Sequence, residues 1–181
     1  MLAFENGLML VQQLCKSVVD LELGIDLVEA DDWANLLGRD LLRAYGPQIK
    51  AAPRGTIGSE FQEWLDLYET VTDADYASAL DEKRRVTDLL AQCQHEVDVL
   101  VCPTLRAGAS TLAEVVTEDR HVRTGNVALF NLTGQPSLTV PHGNGANGLP
   151  LGMLFTGRPG EDETVLAVGA AFEALGHSSC R

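Results

Sequence analysis

The stretch Val127–Gly157, VALFNLTGQPSLTVPHGNGANGLPLGMLFTG, contains the most definite local structure signals in the chain. Within it, Ser137–Val140 is a short β-prone run that ends at Pro141, and Leu151–Thr156 is a second apolar run preceded by a proline. The segment between them, His142–Leu149, is rich in glycine and asparagine, which tolerate positive φ. The pattern therefore predicts two antiparallel strands joined by a glycine loop.

A turn is predicted immediately before the first of these strands, over Asn131–Pro136. Gly134 permits a left-handed backbone, and Pro136 biases Gln135 towards an extended conformation. We therefore expect Gly134 to adopt a positive φ and to direct the chain into the strand.

Apolar residues in the first part of the chain recur at intervals of three and four, which is typical of an amphipathic helix and predicts that this helix ends near Gly24. A second helix is predicted to be capped by Asp31 or Asp32 and to stop at Gly46-Pro47. The Pro- and Gly-rich segment 47–58 is then predicted to be an exposed connection. The spaced apolar residues of the first helix are Leu8, Val11, Leu14, Cys15, Val18 and Leu21.

Two capping-box patterns predict further helix starts, one from Ser59 and Gln62 and the other from Thr72 and Asp75. The second opens the most regular helix of the chain, over about 73–94. It leads into Val97–Val101, an apolar run that favours a strand buried on both faces.

Pro103 is predicted to end that strand, Glu114–Arg123 to be irregular, and Glu161–Leu175 to be a final helix closed by Gly176. Helices flanking a mixed β-sheet predict an α/β architecture. Without repeats or composition breaks, residues 1–181 are predicted to form a single domain, although an incomplete one for the reason given below.

Three motifs resemble the C-terminal part of the amidase signature family, serine hydrolases that cleave carbon–nitrogen amide bonds. They are DVLVCPT at Asp98–Thr104, NLTGQPSLTVP at Asn131–Pro141 and GLPLG at Gly148–Gly152. The similarity is continuous from about Thr72 to Leu175. It corresponds to the second part of a family enzyme only.

The resemblance implies catalysis by a lysine, a serine in a cis peptide and a nucleophilic serine in a Gly/Ser-rich stretch. These 181 residues contain no such stretch. Ser59 in GTIGS is the nearest imitation, but the second serine and the following glycines are missing. We therefore expect no catalytic residues here, and a hydrolase segment that is inactive alone or dependent on an N-terminal part.

What the resemblance assigns to this part of the enzyme is substrate pocket and scaffold. It places Cys102, Pro103 and Thr104 on a loop close to the substrate, and Asn131, Thr133 and Gly134 in the turn beside the sheet. It also implies a substrate-binding arginine on the long helix, where Lys83 and Arg85 are alternatives to Arg84. Structural roles as strand terminator, turn residues and solvated helix charge are the preferred explanation of the same residues. The candidates are Arg84, Cys102, Pro103, Thr104, Asn131, Thr133 and Gly134.

Two functions of other classes are alternatives. A thiolate beside an imidazole is a capable nucleophile, so Cys102 with His142 or His121 could form a cysteine hydrolase. A noncatalytic binding or interaction module, in which the pocket wall persists without the chemistry, is the second alternative.

The charge balance restricts the partners. With 26 acidic and 13 basic residues, the formal net charge is -13, which opposes binding to nucleic acid and to anionic membranes. The N-terminus lacks a basic region, and no stretch approaches the roughly 20 apolar residues of a membrane helix. We therefore expect a cytoplasmic protein.

Four scattered cysteines, Cys15, Cys93, Cys102 and Cys180, favour free thiols, and no zinc spacing is present, so neither a metal nor a cofactor is expected. The expected partners are a small-molecule amide substrate and a protein surface. In the resembled family the sheet is shared between both parts of the enzyme, so this part alone would leave a sheet edge uncovered. A homo-oligomer or a complementing N-terminal amidase part would cover it.

Overall fold

The computed structural model describes residues 2–23, 30–53, 55–115 and 120–178. They divide into two compact units, one formed by the chain up to residue 26 together with the chain from residue 88 onward, and the other by 27–87. That residues 1–181 form one partial domain stays a prediction. The helices are α1 (Leu2–Leu14), α2 (Ala30–Ala51), α3 (Ser59–Glu69), α4 (Asp73–Cys93), α5 (Leu112–Val115), α6 (Arg120–Thr133) and α7 (Asp162–Ser178), with a 3₁₀ turn at Gln94–Glu96, and the strands are β1 (Leu100–Pro103), β2 (Ser137–Asn144) and β3 (Pro150–Thr156).

The strands form an antiparallel sheet in the order β1-β3-β2, which confirms both the α/β class and the predicted hairpin. Phe155 of β3 lies opposite Val101 on one side and Leu138 on the other. Because directly opposed residues point to the same face of a sheet, this register assigns each side chain to one of the two faces.

The first face of the sheet carries the hydrophobic core. Phe155, Met153 and Val140 pack with Phe172 and Val165 of α7, and α1 contributes to the same cluster. The Phe155 and Phe172 ring centroids are 5.1 Å apart. The β-hairpin is thus anchored by the two helices that pack on this face.

Strand β2 continues through Pro141 to Asn144, so the predicted end at Pro141 is wrong. The Gly157 amide donates to the Pro136 carbonyl at 3.0 Å. Since successive residues of a strand direct their backbone groups to opposite sides, Leu138 and Val140 also face β3, whereas Pro141 faces away. Pro141 has no amide hydrogen, but an amide at this position would point away from β3. The proline therefore costs the β2–β3 pairing no hydrogen bond.

Strand β1 begins at Leu100, three residues later than predicted, and it does not lie at the centre of the described sheet. Its residues are half-buried, whereas β3 between the two other strands contains the buried run Met153–Thr156. The apolar run predicted a strand correctly. Which strand becomes central depends on pairing, which local composition does not determine.

Helix α1 ends at Leu14, well before the predicted end near Gly24, a residue that lies outside the described ones. The spacing of apolar residues continues after Leu14, but Val18 and Val19 are 40% and 57% exposed. Helices in proteins owe most of their stability to packing of the apolar face. Without such packing, the favourable spacing does not extend this helix.

In the unit 27–87, helix α2 passes through Gly46-Pro47 to Ala51, so the predicted stop is wrong and the first part of the predicted connection 47–58 is helical. Pro47 removes the hydrogen bond to the carbonyl of Arg43. Both residues are exposed, and water can satisfy that carbonyl. Helix α2 already begins at Ala30, so Asp31 and Asp32 lie within its first turn and the prediction that one of them is the N-cap is wrong. Their side chains lie outside the described part of the chain.

Gly38 is buried within α2, and a side chain at this position would overlap the ring of Tyr68 in α3. Glycine has a lower helix propensity than alanine, but here it allows α2 and α3 to pack closely. Leu36, Leu65 and Val71 are buried in the same unit.

The capping box of Thr72 and Asp75 is confirmed at the start of α4. The Thr72 amide donates to Asp75 Oδ2 at 2.9 Å, and the Asp75 amide donates to Thr72 Oγ1 at 3.1 Å. The Thr72 hydroxyl also donates to this carboxylate, and these bonds lower the pKa of Asp75.

The helix start predicted from Ser59 and Gln62 is confirmed, because α3 begins at Ser59, but the capping box itself is not formed. Ser59 is the first residue of α3, Gly58 is the N-cap without a side-chain bond, and Gln62 donates to Asp66 instead. The two patterns are alike in sequence, but only Thr72 occupies the residue before its helix.

Two other predicted boundaries are also wrong. Part of the segment predicted to be irregular, Glu114–Arg123, belongs to α5 and α6, while 116–119 lie outside the described residues. Helix α7 continues past Gly176 to Ser178. Among the described residues, no helix combines the length and apolar character required to cross a membrane.

Candidate functional site

The end of β1 meets the centre of the hairpin through a glycine. The Thr104 amide donates to the Gly152 carbonyl at 3.0 Å, and the Thr104 hydroxyl donates to the Thr139 hydroxyl at 3.2 Å. A Cβ atom on Gly152 would lie 2.5 Å from Thr104 Oγ1 and 2.6 Å from Thr139 Cγ2. The two threonines from the outer strands thus meet across β3 only because residue 152 has no side chain.

These groups lie on the second face of the sheet, away from the core. Cys102 and Thr139 both oppose Leu154 of β3, so the three side chains share this face. One row further, the Ser137 and Thr156 hydroxyl oxygens are 2.8 Å apart. The second face therefore combines hydroxyl groups and a thiol with the buried Leu154, whereas the first face carries the apolar cluster.

Asn126 of α6 fixes the backbone at the end of β1. Its side-chain amide donates to the Pro103 carbonyl at 2.6 Å. Sequence reasoning missed this residue because helix α6 was not predicted over it. Asn126 lies close in sequence to the predicted turn, but this proximity did not indicate that its side chain contacts β1.

The β2–β3 loop is joined to the segment after β1 by Asn147. The Asn147 side-chain amide donates to the Ala109 carbonyl at 3.0 Å, and its oxygen accepts the Leu149 amide at 3.1 Å. Sequence reasoning identified this loop only as a glycine-rich turn. The structure shows that it also orders the chain that follows Thr104.

The structure places Asn131 and Thr133 in the last turn of α6, so the predicted turn begins only at Gly134. Gly134 has φ +73°, as predicted, and its amide donates to the Phe130 carbonyl at 2.9 Å. This is a left-handed helix end. Asn131 is exposed, whereas Thr133 is buried and donates to the Leu129 carbonyl at 3.1 Å.

Thr133 also belongs to a buried polar network. Its hydroxyl lies 3.4 Å from Gln135 Oε1, and the Gln135 side-chain amide donates to Gln94 Oε1. Gln94 is fully buried. The network connects the 3₁₀ turn after α4 to the end of α6, which supports a structural role for Thr133.

Arg84 lies in the other compact unit, 27–87. It is exposed and forms an ion pair at 2.5 Å with Asp81 of the same helix. Cys102, Pro103 and Thr104 lie together at the end of β1, whereas Arg84 belongs to the other unit. A substrate-lining role for any of the seven candidates stays a prediction.

The Cys102–His142 pair required by a cysteine hydrolase is not formed. His142 stacks edge-on against Phe172, with ring centroids 5.2 Å apart, on the face that carries Phe155. Cys102 lies on the opposite face, and burial raises the pKa of its thiol to about 11. The thiol is thus protonated near neutral pH and a poor nucleophile. The side chain of His121 lies outside those described.

Within the described residues, Cys15, Cys93 and Cys102 are free thiols, and Cys180 lies outside this range. No group of three or more His, Cys, Asp or Glu side chains in the described part of the chain could hold a metal ion. The strand end can therefore offer neutral hydrogen-bonding groups to a ligand.

The fold is of the mixed α/β class, and comparisons with known proteins identify the family to which the chain belongs. The Amidase family model matches residues 17–166. The chain belongs to the amidase signature family.

The chain spans less than half the length of each of three similar proteins. A fatty acid amide hydrolase of Medicago truncatula is 30% identical over 146 residues, covering 77% of this chain and 24% of that protein. A glutamyl-tRNA(Gln) amidotransferase component of Novosphingobium aromaticivorans is 28% identical over 158 residues, covering 86% of this chain and 31% of that protein. A crystal structure of an amidase superimposes with a TM-score of 0.79 at 25% identity, over 95% of this chain and 41% of that one.

Proposed function

We propose that this chain is the C-terminal segment of an amidase-type hydrolase that acts on carbon–nitrogen amide bonds, and that it requires an N-terminal part carrying the catalytic lysine and serines. The observation that carries the proposal is the structural match to an amidase over 95% of this chain and only 41% of that enzyme. The 181 residues contain no Gly/Ser-rich catalytic stretch. We therefore expect no amide hydrolysis by this chain alone.

The role of this segment is to form one wall of the substrate pocket, at the end of β1. Thr104 and Thr139 present hydroxyl groups there, and the bonds to Gly152 and Asn126 hold the backbone in place. The protonated Cys102 thiol is a small uncharged group in the same row. Neutral groups of this kind suit the recognition of an uncharged amide, which both donates and accepts hydrogen bonds.

The names of the relatives share one chemical feature, which is an amide group. Medicago truncatula has a fatty acid amide hydrolase, and Novosphingobium aromaticivorans has an amidotransferase component. For this chain we propose a small-molecule amide substrate. The net charge of -13 opposes a nucleic-acid or membrane partner, and it fits a protein of the cytoplasm.

The test is an amide hydrolysis assay on the purified chain, alone and mixed with the separately expressed N-terminal segment of a family amidase that carries the lysine and both serines. Release of ammonia from an aliphatic and an aromatic primary amide is measured. We expect no turnover with either component alone and turnover in the mixture.

Cysteine variants distinguish the alternatives. Turnover by the chain alone that disappears in Cys102→Ala, but persists in the matched variant Cys15→Ala, would establish a cysteine hydrolase instead. Turnover by the chain alone that survives both substitutions and every Ser→Ala substitution would also contradict the proposal. A mixture that binds tightly without any turnover would favour the noncatalytic interaction module.

A further inference from the structure

The segment that follows β1, residues 104–109, is held at both ends by asparagine side chains. Before it, the Asn126 side-chain amide donates to the Pro103 carbonyl at 2.6 Å. At its end, the Asn147 side-chain amide donates to the Ala109 carbonyl at 3.0 Å. The chain bends between these two bonds. A side chain on the bend is therefore carried by backbone that is fixed on both sides.

Arg106 lies on this bend and is exposed. Among the arginines whose side chains the structure describes, Arg106 is the one without a carboxylate partner. In a chain with 26 acidic and 13 basic residues, an unpaired guanidinium is unexpected, and its five N–H donors are available to a ligand. The other described arginines form the ion pairs Arg39–Asp73, Arg43–Asp40, Arg84–Asp81, Arg85–Glu82, Arg158–Asp98 and Arg158–Glu161.

The acidic residue nearest to Arg106 along the following segment is already engaged. Glu114 is the one carboxylate in the sequence of residues 104–115, and it accepts the Thr111 amide and hydroxyl, each at 2.8 Å. Exposed charges that are further apart than about 10 Å are largely screened at ordinary ionic strength. The carboxylates elsewhere in the chain therefore weaken the attraction of Arg106 for an anion much less than a carboxylate in contact would.

Arg106 is also close to the groups proposed above to contact the amide. Thr104 is two residues earlier, and two residues span at most about 7 Å between Cα atoms. The hydroxyls of Thr104 and Thr139 and the protonated thiol of Cys102 are neutral groups that suit the amide itself. A guanidinium instead prefers a planar anion, because its donors match both oxygens of a carboxylate. The strand end therefore combines neutral groups with a nearby cation.

We propose that Arg106 is a specificity-determining residue, and that the amide substrate of this site carries a carboxylate that Arg106 binds. The inference rests on the proposed function and adds the class of its substrate, which is a small amide with one free carboxylate, such as the monoamide of a dicarboxylic acid. A single carboxylate is favoured over phosphate because the formal net charge of -13 opposes a doubly charged ligand more strongly.

The experiment uses the whole chain mixed with the same N-terminal amidase segment as above, and two probes, succinamate and its uncharged methyl ester. Both probes contain the same primary amide, but only succinamate carries a carboxylate. Arg106→Gln removes the charge of the guanidinium. Lys16→Gln is the matched control, because Lys16 is likewise an exposed cation without an ion-pair partner among the described residues. Both variants change the net charge of the chain by the same amount.

The KM for succinamate should rise about tenfold in Arg106→Gln and by less than about twofold in Lys16→Gln. A carboxylate remote from the cleaved bond keeps its charge during hydrolysis, so kcat should be unchanged. The KM for the methyl ester should be unchanged in both variants. Arg106→Lys should recover part of the loss, because an ammonium keeps the charge but not the paired geometry.

Other outcomes overturn the assignment. Turnover of succinamate with the same KM in Arg106→Gln and in the unsubstituted chain would show that Arg106 does not bind the carboxylate, and it would leave the proposed function intact. A rise of KM for both probes would indicate a general disturbance of the strand end instead.

If the mixture hydrolyses neither probe, the proposed function fails, and the Nε–H resonance of Arg106 in the same mixture decides the inference. A shift of this resonance with succinamate, but not with the methyl ester, would support the carboxylate site. An equal response to both probes, or none, would overturn it.

Discussion

The two faces of the β-sheet have opposite character, although the same strands supply both. On the first face, Phe155 and Met153 are buried against α1 and α7, and the aromatic rings of Phe155 and Phe172 are in contact. On the second face, Thr104 and Thr139 meet above a glycine, and Ser137 and Thr156 share a hydrogen bond. One face holds the hairpin in place, and the other presents polar groups whose positions depend on it.

This difference separates stability from recognition. Apolar contacts on the first face stabilise in proportion to the area removed from water. The hydroxyl pairs on the second face contribute less net free energy each, but their positions are specific. Substitutions on the first face should therefore cause the larger losses of stability, whereas substitutions on the second face should mainly change the positions of polar groups.

The largest effect is expected for Phe155→Ala. Phe155 is fully buried, and its truncation leaves a cavity beside Phe172 that costs about 3–5 kcal/mol of unfolding free energy. Thr139→Ala on the other face is the control and should cost about 1 kcal/mol or less. Denaturant unfolding of both variants measures the difference, and equal losses would show that the faces are energetically alike.

Gly152→Val should be the next largest. Its Cβ would collide with both threonines at the strand end, and overpacking of this kind costs about 1–3 kcal/mol. The additional substitutions Thr104→Ala and Thr139→Ser remove the nearest atoms and should recover part of the loss. If the triple variant melts no higher than Gly152→Val, the contact across β3 is not the cause.

Gly134→Val tests the strain of a positive φ in the absence of a steric clash with other side chains. Gly134 has φ +73°, and no atom outside its neighbours lies within 4 Å of the position of a Cβ. The expected loss of about 1–2 kcal/mol is therefore conformational strain. Gly134→Asn should lose less, because asparagine tolerates this region. An unchanged melting temperature in Gly134→Val would remove the argument for a left-handed helix end.

The smallest effect concerns Cys102 and is confined to high pH. Burial raises the pKa of its thiol from 9.0 to about 11 in the folded chain, so the unfolded chain loses this proton first. Stability should therefore fall as the pH rises from about 9 to 11. Denaturation midpoints across this range should decrease less in Cys102→Ala than in the unsubstituted chain. Parallel curves would place Cys102 in a solvent-exposed environment.

The sequence predicted local features well where a few adjacent residues suffice. The hairpin, the Thr72–Asp75 capping box and the positive φ of Gly134 are all confirmed. Each depends on turn chemistry or on hydrogen bonds within a few residues. The three family motifs were recognisable for the same reason, since each is a short continuous segment.

Predictions failed where the outcome depends on distant packing. The spacing of apolar residues continues past Leu14, but α1 ends there and Val18 and Val19 are exposed. Pro47 does not end α2, and β1 begins at Leu100 although the apolar run begins at Val97. In each case the local pattern was compatible with more than one result, and contacts with other elements selected among them.

The sequence by itself determined the family, the α/β class and the turn that introduces β2, because these depend on short motifs and on backbone preferences of glycine and proline. Only the tertiary structure decided that Thr104 and Thr139 meet across Gly152, and that Cys102 and His142 lie on opposite faces of the sheet. The physical reason is register: a shift of one residue reverses the face of every side chain in a strand, and register is set by pairing between strands that are remote in the chain.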